Sequence, residues 1–460
     1  MSKSKKYAYK GSKRWSIMGC IVILICIAIV ISKFTGFGVN SKYVSNIKSK
    51  KVDLTPTNEL VLELPGFRYF GNMFYDAVGE FKKQYPNVKV TVTRKGDADN
   101  IPTDQYQSAV TSELMAGSGP DLILTDFFTN DLYKTIDTGA FLNLASIISR
   151  DKHFNLNDYH STVMKAGNYR GGQYFMPLSF STEISVADQS GLDKMGFDKS
   201  NVTDYTSFVR EISKCIPKAK ENSSFNAMFV TPMQNRMLRS SGIPLVDEQK
   251  RIALPDEDAV RAFCKAYQPY YDIENQDGAP YSGSTFDLYS KAIIPFGQQM
   301  RDTRWIIFWM LIKSKGDTPV LIVPKSVDGG LRATVSSGVA IRAGSPNQLN
   351  AWNFIKILLS KSIQNVDPGK NFDFDYPVNK AALRDQFNSY KDSSVDWSVD
   401  DGDGASKRVD NSVLTSDDLT QFQKIIDSIS CCSLICKPTE TIFTKCMEPY
   451  FKKEKTWIVA

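Results

Sequence analysis

Hydrophobic and polar positions divide the chain into an apolar N-terminal segment and a long patterned region that begins near Glu59. Strands are predicted from short runs that end at glycine or proline, and helices from apolar residues at helical spacing. The predicted elements are, in order, a strand at 60–64, a helix at 70–85, a strand at 88–92, a helix at 105–116 and a strand at 121–124. This alternation is typical of an α/β sheet whose parallel strands are joined by crossover helices.

The carboxyl ends of these strands are the expected place for a ligand, since open α/β sheets bind ligands at that edge. Arg68 and Tyr69 follow the first predicted strand and could reach such a site. Asp126 follows the third strand, where its carboxylate could accept hydrogen bonds from a ligand or could cap the next segment.

The N-terminal apolar segment runs without a charge from Trp15 to Ser32 and follows six basic residues within the first fourteen. This pattern predicts a cytoplasmic basic segment at 1–14, a transmembrane signal anchor at 15–32 and an extracytoplasmic tether at 33–58. Cys20 and Cys26 leave lipoprotein anchoring open, but neither has both the small residue and the apolar run that a lipidation signal places before its cysteine. An uncleaved anchor in the cell membrane is favoured.

The charge balance gives no indication of nucleic-acid binding. Of the net charge of +6, six positive charges belong to the basic N-terminal segment, so the rest of the chain is close to neutral. Eight cysteines and two histidines lack the spacing of a metal site, and the acidic run 396–403 does not follow the calcium-loop pattern. We predict no cofactor and no metal.

Four cysteines lie within the last thirty residues, in a region that the sequence pattern predicts as helical. Cys432 and Cys436 would then share one helix face. Buried thiols are the favoured interpretation, and a disulfide is the alternative on the oxidising side of a membrane.

Known catalytic motifs do not occur in the sequence. It has no Gly-x-Ser-x-Gly elbow, no phosphate-binding glycine loop ending in Lys-Ser/Thr and no HExxH helix. We therefore predict that the protein is not an enzyme, although a glycosidase, which needs only two carboxylates, stays open.

Several motifs in order resemble the extracellular solute-binding proteins of the maltose-binding-protein type (family 1), from about Glu59 to the C-terminus. The motifs that carry the resemblance are Ala116-Gly-Ser-Gly-Pro-Asp-Leu-Ile-Leu124, Gly172-Gln-Tyr-Phe-Met-Pro-Leu178, Pro319-Val-Leu-Ile-Val-Pro324, Ser337-Gly-Val-Ala-Ile341, Ala351-Trp-Asn-Phe-Ile-Lys356 and Tyr376-Pro-Val-Asn-Lys380. The glycines of the first motif allow a helix to stop, and its proline fixes entry into the next strand.

The resemblance implies an α/β, two-lobed type II periplasmic-binding-protein fold with hinge crossovers, preceded here by one transmembrane helix. The solute-binding domain would span 59–460. Lobe 1 would hold about 59–177 and 290–335, and lobe 2 about 178–289 and 336–460. The ligand would lie between lobes that close on it like a hinge.

The resemblance also implies a function as the solute-binding component of an ABC importer, with a small solute, expected to be a carbohydrate, and the permease subunits as partners. A different solute, such as a peptide, a polyamine or an anion, and a membrane-tethered sensor subunit with the same fold are the alternatives.

Candidate ligand contacts combine planar aromatic rings with polar groups, as carbohydrate sites do. The resemblance implies Trp305 as the first aromatic candidate, because its distance from the 321–324 strand is similar to that of a ligand-stacking tryptophan in the family, although residues 305–309 could also form a buried strand. Trp352 is expected in the core and Asp121 in a structural role. The full set of predicted ligand contacts is Trp305, Asp126, Arg68, Tyr69, Ser179, Thr182, Asp328, Arg332 and Trp309.

Overall fold

A computed structural model of the chain describes most of the region from residue 51 onward. The described ranges are 51–65, 71–95, 103–128, 132–221, 234–247, 252–253, 255–274, 299–300, 302–365, 375–392, 398–400 and 406–457. The predicted anchor, its flanking segments to residue 50, and Arg68 and Tyr69 lie outside these ranges. Within them, no helix has the length and apolar character needed to cross a membrane.

Sixteen strands occur in the described ranges. They are β1 (Glu59–Pro65), β2 (Lys89–Lys95), β3 (Leu122–Leu124), β4 (Asn168–Tyr169), β5 (Gly172–Gln173), β6 (Met176–Thr182), β7 (Ile184–Asp188), β8 (Val246–Asp247), β9 (Ile252–Ala253), β10 (Gln299–Met300), β11 (Pro319–Ile322), β12 (Leu331–Ile341), β13 (Tyr376–Pro377), β14 (Ser398–Asp400), β15 (Ser406–Arg408) and β16 (Ile429–Ser433).

Fifteen α-helices accompany these strands in the same part of the chain. They are α1 (Gly71–Gln84), α2 (Thr103–Met115), α3 (Leu132–Asp137), α4 (Ala145–Arg150), α5 (Ser161–Met164), α6 (Gln189–Met195), α7 (Tyr205–Glu221), α8 (Gln234–Ser241), α9 (Glu257–Glu274), α10 (Trp305–Ser314), α11 (Gln348–Leu358), α12 (Lys361–Gln364), α13 (Lys380–Ser389), α14 (Ser416–Asp427) and α15 (Lys437–Phe451).

The first sheet has the strand order β13-β6-β12-β3-β1-β2, and β16 pairs with β12 in addition. β1 pairs in parallel with both β2 and β3, as the predicted crossover helices require. β12 runs antiparallel to β3 and to β6. The five predicted elements from residue 60 to residue 124 are thereby confirmed within a few residues of their predicted ends.

Helix α1 covers the first sheet because its apolar residues recur on one face. Phe74, Ala77 and Phe81 are buried, and the Phe74 ring meets Phe354 of α11 edge-on at 5.2 Å between centroids. Helix α2 ends at Met115, and Gly117, whose φ is 74°, lets the chain turn away from the helix before β3. The predicted glycine stop is confirmed.

The second sheet has three strands in the order β10-β7-β11, and β7 follows β6 almost directly along the chain. Both of its pairings are antiparallel. Val186 and Leu321 pack in one hydrophobic core, whereas Ala187 and Ile322 pack in another. Because successive residues of a strand face opposite sides, this sheet lies between the two cores.

The two cores divide the chain differently from the predicted lobe boundaries. The first core takes buried residues from 60 to 186, from 305 to 312 and from 331 to 429, together with Leu321. The second takes them from 187 to 270 and from 443 to 451, together with Ile322. Residues 341–429 therefore pack with β1 to β3, although the prediction assigned them to lobe 2.

Two possibilities that the sequence left open do not occur in the structure. Residues 305–309 form the start of α10 instead of a strand, and the first eight residues of this helix are all buried. An apolar run without a polar face fits a helix enclosed on all sides equally well. Cys431 and Cys432 lie in β16, and Cys436 precedes α15, so these thiols share no helix face. The six cysteines in the described ranges are all free.

Candidate functional site

The carboxyl-terminal edge of β1, β2 and β3 carries Asp126, in the short 3₁₀ turn that follows β3. Its Oδ1 accepts a hydrogen bond of 2.9 Å from the backbone N–H of Gly338, 212 residues away on β12. The carboxylate thus joins the end of a parallel strand to a long strand of the first sheet. This contact gives Asp126 a tertiary role in place of the local cap that was one of its two predicted roles.

Asp126 has a strongly perturbed acidity. Burial raises its pKa to about 7, the Gly338 N–H opposes that shift, and the nearby Asp375 carboxylate adds to it. A carboxyl group with this pKa changes its protonation near neutral pH. It can therefore donate as well as accept hydrogen bonds there, which suits a partner that carries hydroxyl groups.

Tyr106 lies on α2, the helix that packs against the turn holding Asp126, and is only 4% exposed. Burial raises the pKa of its phenol, and the negative charges of Glu63, Glu113 and Asp126 raise it further. These four side chains therefore sit close enough to interact electrostatically. Glu63 near the end of β1, Asp126 after β3 and Tyr106 in the first half of α2 lie toward the carboxyl-terminal edge of the sheet, whereas Glu113 lies beside Gly119, which precedes β3.

Gly338 is required where β12 passes this site. A Cβ atom added there would stand 2.6 Å from Thr125 Oγ1 and 3.1 Å from the Phe175 ring. The register between β12 and β6 also shifts on both sides of Ser337. A close backbone approach and an irregular pairing thus coincide next to Asp126.

Arg332 joins β12 to segments that lead into the second core. Its guanidinium donates 2.8 Å to Ser433 Oγ at the end of β16 and forms an ion pair with Asp328. Gly242, just after α8, packs against it, because a Cβ there would lie 2.6 Å from Arg332 Nη2. Thr182 donates 2.9 Å to the Arg332 carbonyl. Three predicted ligand contacts therefore meet at a junction between chain segments.

Trp305 lies in the first core and is fully buried. Its indole N–H donates 2.7 Å to Tyr376 Oη, and its ring meets Phe422 edge-on at 4.5 Å. Trp309 is 6% exposed and donates 3.2 Å to Asp418. Ligand contact by either tryptophan stays a prediction, and the described conformation gives both indoles partners inside the protein.

Among the other candidates, Ser179 is half-buried in β6, opposite Pro377 and Ser337. Trp352 and Asp121 take the structural roles predicted for them. Trp352 is buried and donates 2.7 Å to Asp151, and Asp121 accepts 2.7 Å from the N–H of Val61.

Sequence reasoning missed Tyr106 and Glu63. One signal was available for Glu63, because it is the acidic residue within the otherwise apolar run 60–65, two residues before the end of β1. Tyr106 gave no such signal. Its place beside Asp126 depends on how α2 packs on the sheet.

Together these observations define a two-lobed α/β solute-binding fold. The chain belongs to the family described as bacterial extracellular solute-binding protein, whose model matches residues 76–393, more than half of the chain. This finding confirms the resemblance that the motifs carried. No curated protein matches the chain in sequence.

Solved structures of the same fold cover nearly the whole chain at low identity. A periplasmic oligogalacturonide-binding protein from Yersinia enterocolitica has a TM-score of 0.58 at 14% identity, covering 87% of this chain and 95% of its own. A family 1 extracellular solute-binding protein from Alicyclobacillus acidocaldarius has a TM-score of 0.55 at 14% identity, with 88% and 96% covered. The sugar-binding protein MalE from Xanthomonas citri has a TM-score of 0.55 at 14% identity, with 87% and 93% covered.

Proposed function

We propose that the protein is the membrane-tethered, extracytoplasmic solute-binding component of an ABC importer and that it holds a carbohydrate between its two lobes. The observation that carries this proposal is the placement of Tyr106, Glu63 and Asp126 toward the carboxyl-terminal edge of the parallel strands, where the charges of both carboxylates act on the tyrosine. Carbohydrates present apolar ring faces and a rim of hydroxyls, and a buried ring beside hydrogen-bonding carboxyl groups complements both.

Arg68 and Tyr69 are included in the proposal only from their position in the sequence, shortly after β1. Ser179 and Thr182 lie on β6, which leads from the first sheet into β7. In this proposal the lobes correspond to the two cores, and Arg332 with Asp328 acts at their junction instead of on the ligand. The anchor at 15–32 would keep the binding domain next to its permease.

A thermal-shift screen on the full chain in detergent tests the proposal, because a ligand that binds only the folded state raises the apparent stability. The panel holds neutral oligosaccharides, galacturonate oligomers, spermidine and short peptides. A melting temperature that rises with one carbohydrate class supports the proposal. A rise with peptides alone, or carbohydrate turnover in place of stoichiometric binding, contradicts it.

A cationic solute such as a polyamine is the second candidate. The specific observation in its favour is the negative potential at Tyr106, where three carboxylates act together. A rise in melting temperature with spermidine and none with carbohydrates would select this alternative.

A further inference from the structure

A cavity of about 350 Å³ opens on the flank of the first core. Helices α5, α13 and α14 and the start of β16 line it, and each of these elements contributes buried residues to the first core alone. The cavity is therefore bounded by one lobe and is separate from the site at Asp126.

His160 is the most enclosed polar side chain of this cavity. It is 7% exposed, and its Nε2 has no hydrogen-bond partner within the described ranges. Burial, opposed by the charge of Asp427 and assisted by that of Lys380, lowers its pKa to about 4. The imidazole is thus neutral at physiological pH and offers one ring N–H without a charge.

Gln423 supplies a second polar atom without a partner in the described part of the chain. Its side-chain N–H donates 3.0 Å to Asp427 Oδ1, one turn further along α14. The carboxylate can only accept, so the amide orientation is fixed and Oε1 points away from Asp427. Oε1 is buried and accepts no hydrogen bond from the described residues.

Two cations of α13 complete the lining. Lys380 is held by a hydrogen bond of 3.0 Å from its Nζ to the carbonyl of Asn157, and Arg384 is exposed. Against these, Asp427 is the acidic residue of the lining, and one of its oxygens is occupied by Gln423. The cavity therefore carries an excess of positive charge over two buried hydrogen-bonding atoms.

We propose that this cavity binds hydrogenphosphate. Arg384 and Lys380 attract its negative oxygens, the His160 ring N–H donates to one of them, and Gln423 Oε1 accepts from its O–H group. Gln423 Oε1 is the atom that distinguishes hydrogenphosphate from sulfate. Sulfate carries no hydrogen at neutral pH, so one of its oxygens would face the Gln423 oxygen without a hydrogen bond between them.

Isothermal titration calorimetry on the full chain at pH 7.5, with ionic strength balanced by chloride, tests this proposal. Inorganic phosphate is expected to bind at one site per chain, about tenfold more tightly than sulfate. A phosphate monoester, which mostly lacks an O–H on its phosphate at this pH, is titrated in the same way. This titration distinguishes binding of free phosphate from binding of a phosphorylated ligand. Equal binding of phosphate and sulfate overturns the proposal, as does the absence of phosphate binding.

Variants locate the site. Gln423→Leu should weaken phosphate about tenfold and remove its preference over sulfate. Arg384→Ala should weaken both anions, whereas Lys424→Ala, an exposed cation on the same helix as Gln423, should change neither. A preference that survives Gln423→Leu, or an equal loss in Lys424→Ala, contradicts the assignment. Asp126→Asn should leave phosphate binding intact, so failure here is distinguishable from failure of the carbohydrate proposal.

Discussion

Asp126 and Gly338 are joined by a hydrogen bond of 2.9 Å that ties the end of β3 to β12 across 212 residues of sequence. This contact positions a carboxyl group at the edge of the sheet where ligands of α/β proteins bind. It also makes the site sensitive to changes in β12, which crosses the first sheet and pairs with β3, β6 and β16.

The raised pKa of Asp126 predicts an unusual pH dependence of the free energy of unfolding. Burial raises its pKa to about 7, whereas unfolded aspartate titrates near about 3.9. The folded state holds the proton more tightly, so the contribution of this group to the free energy of unfolding is full below the unfolded pKa and is lost as pH rises through 7. Asp126→Asn should therefore gain stability relative to wild type between pH 5 and pH 8, measured by urea unfolding.

The matched control for this prediction is Asp151→Asn. Hydrogen bonds from Lys356 and Trp352 lower the pKa of Asp151 to about 2 against the opposing effect of burial. Its contribution is lost only as pH falls below the unfolded pKa, so this variant should be destabilised equally at pH 5 and pH 8. Parallel pH curves for wild type and Asp126→Asn would contradict the raised pKa.

Gly338→Ala should destabilise the protein by about 1–3 kcal/mol, because the new methyl group would overlap Thr125 Oγ1 and the Phe175 ring. Gly79→Ala is the control. Gly79 lies inside α1 with no atom within 4 Å of an added Cβ, so this change should stabilise by about 0.5–1 kcal/mol. Chemical denaturation measures both changes in stability. Equal effects of the two substitutions would refute the close approach at Gly338.

Arg332→Ala should lower the free energy of unfolding by about 1–3 kcal/mol, because its guanidinium joins Ser433 and Asp328 near the junction of the two cores. Ser433→Ala removes only one of these contacts and should cost less. Fluorescence-monitored unfolding distinguishes the two. If Arg332 instead contacts ligand, Arg332→Ala would weaken ligand binding while leaving unfolding unchanged.

Trp305→Phe separates a core role from a ligand role. The indole N–H donates to the buried Tyr376 hydroxyl, so its loss should cost about 1–3 kcal/mol of stability. In the double variant with Tyr376→Phe the two losses should not add, because both variants remove the same hydrogen bond. If Trp305→Phe is as stable as wild type but binds the ligand more weakly, Trp305 contacts the ligand.

Local patterns predicted the elements around β1 to β3 because alternation, helical spacing and the Gly-Pro-Asp turn each act over a few residues. They failed at residues 305–309, where an all-apolar run has no period to distinguish helix from strand. The family resemblance, which supplied the lobe boundaries, placed residues 341–429 in lobe 2, whereas their buried residues pack in the first core, because membership of a core is decided by long-range packing. Asp126 could be proposed from the sequence because it follows a predicted strand. The position of Tyr106 in the site depends on how α2 packs on the sheet.

The central claim is that one carbohydrate is held, without turnover, at the site of Asp126 and Tyr106. Isothermal titration of the full chain with the carbohydrate class selected by the thermal screen tests it most directly, with Asp417→Asn as an exposed acidic control. The account predicts one ligand per chain, affinity reduced about tenfold by Asp126→Asn and unchanged by Asp417→Asn. Equal affinity in wild type and both variants would contradict it.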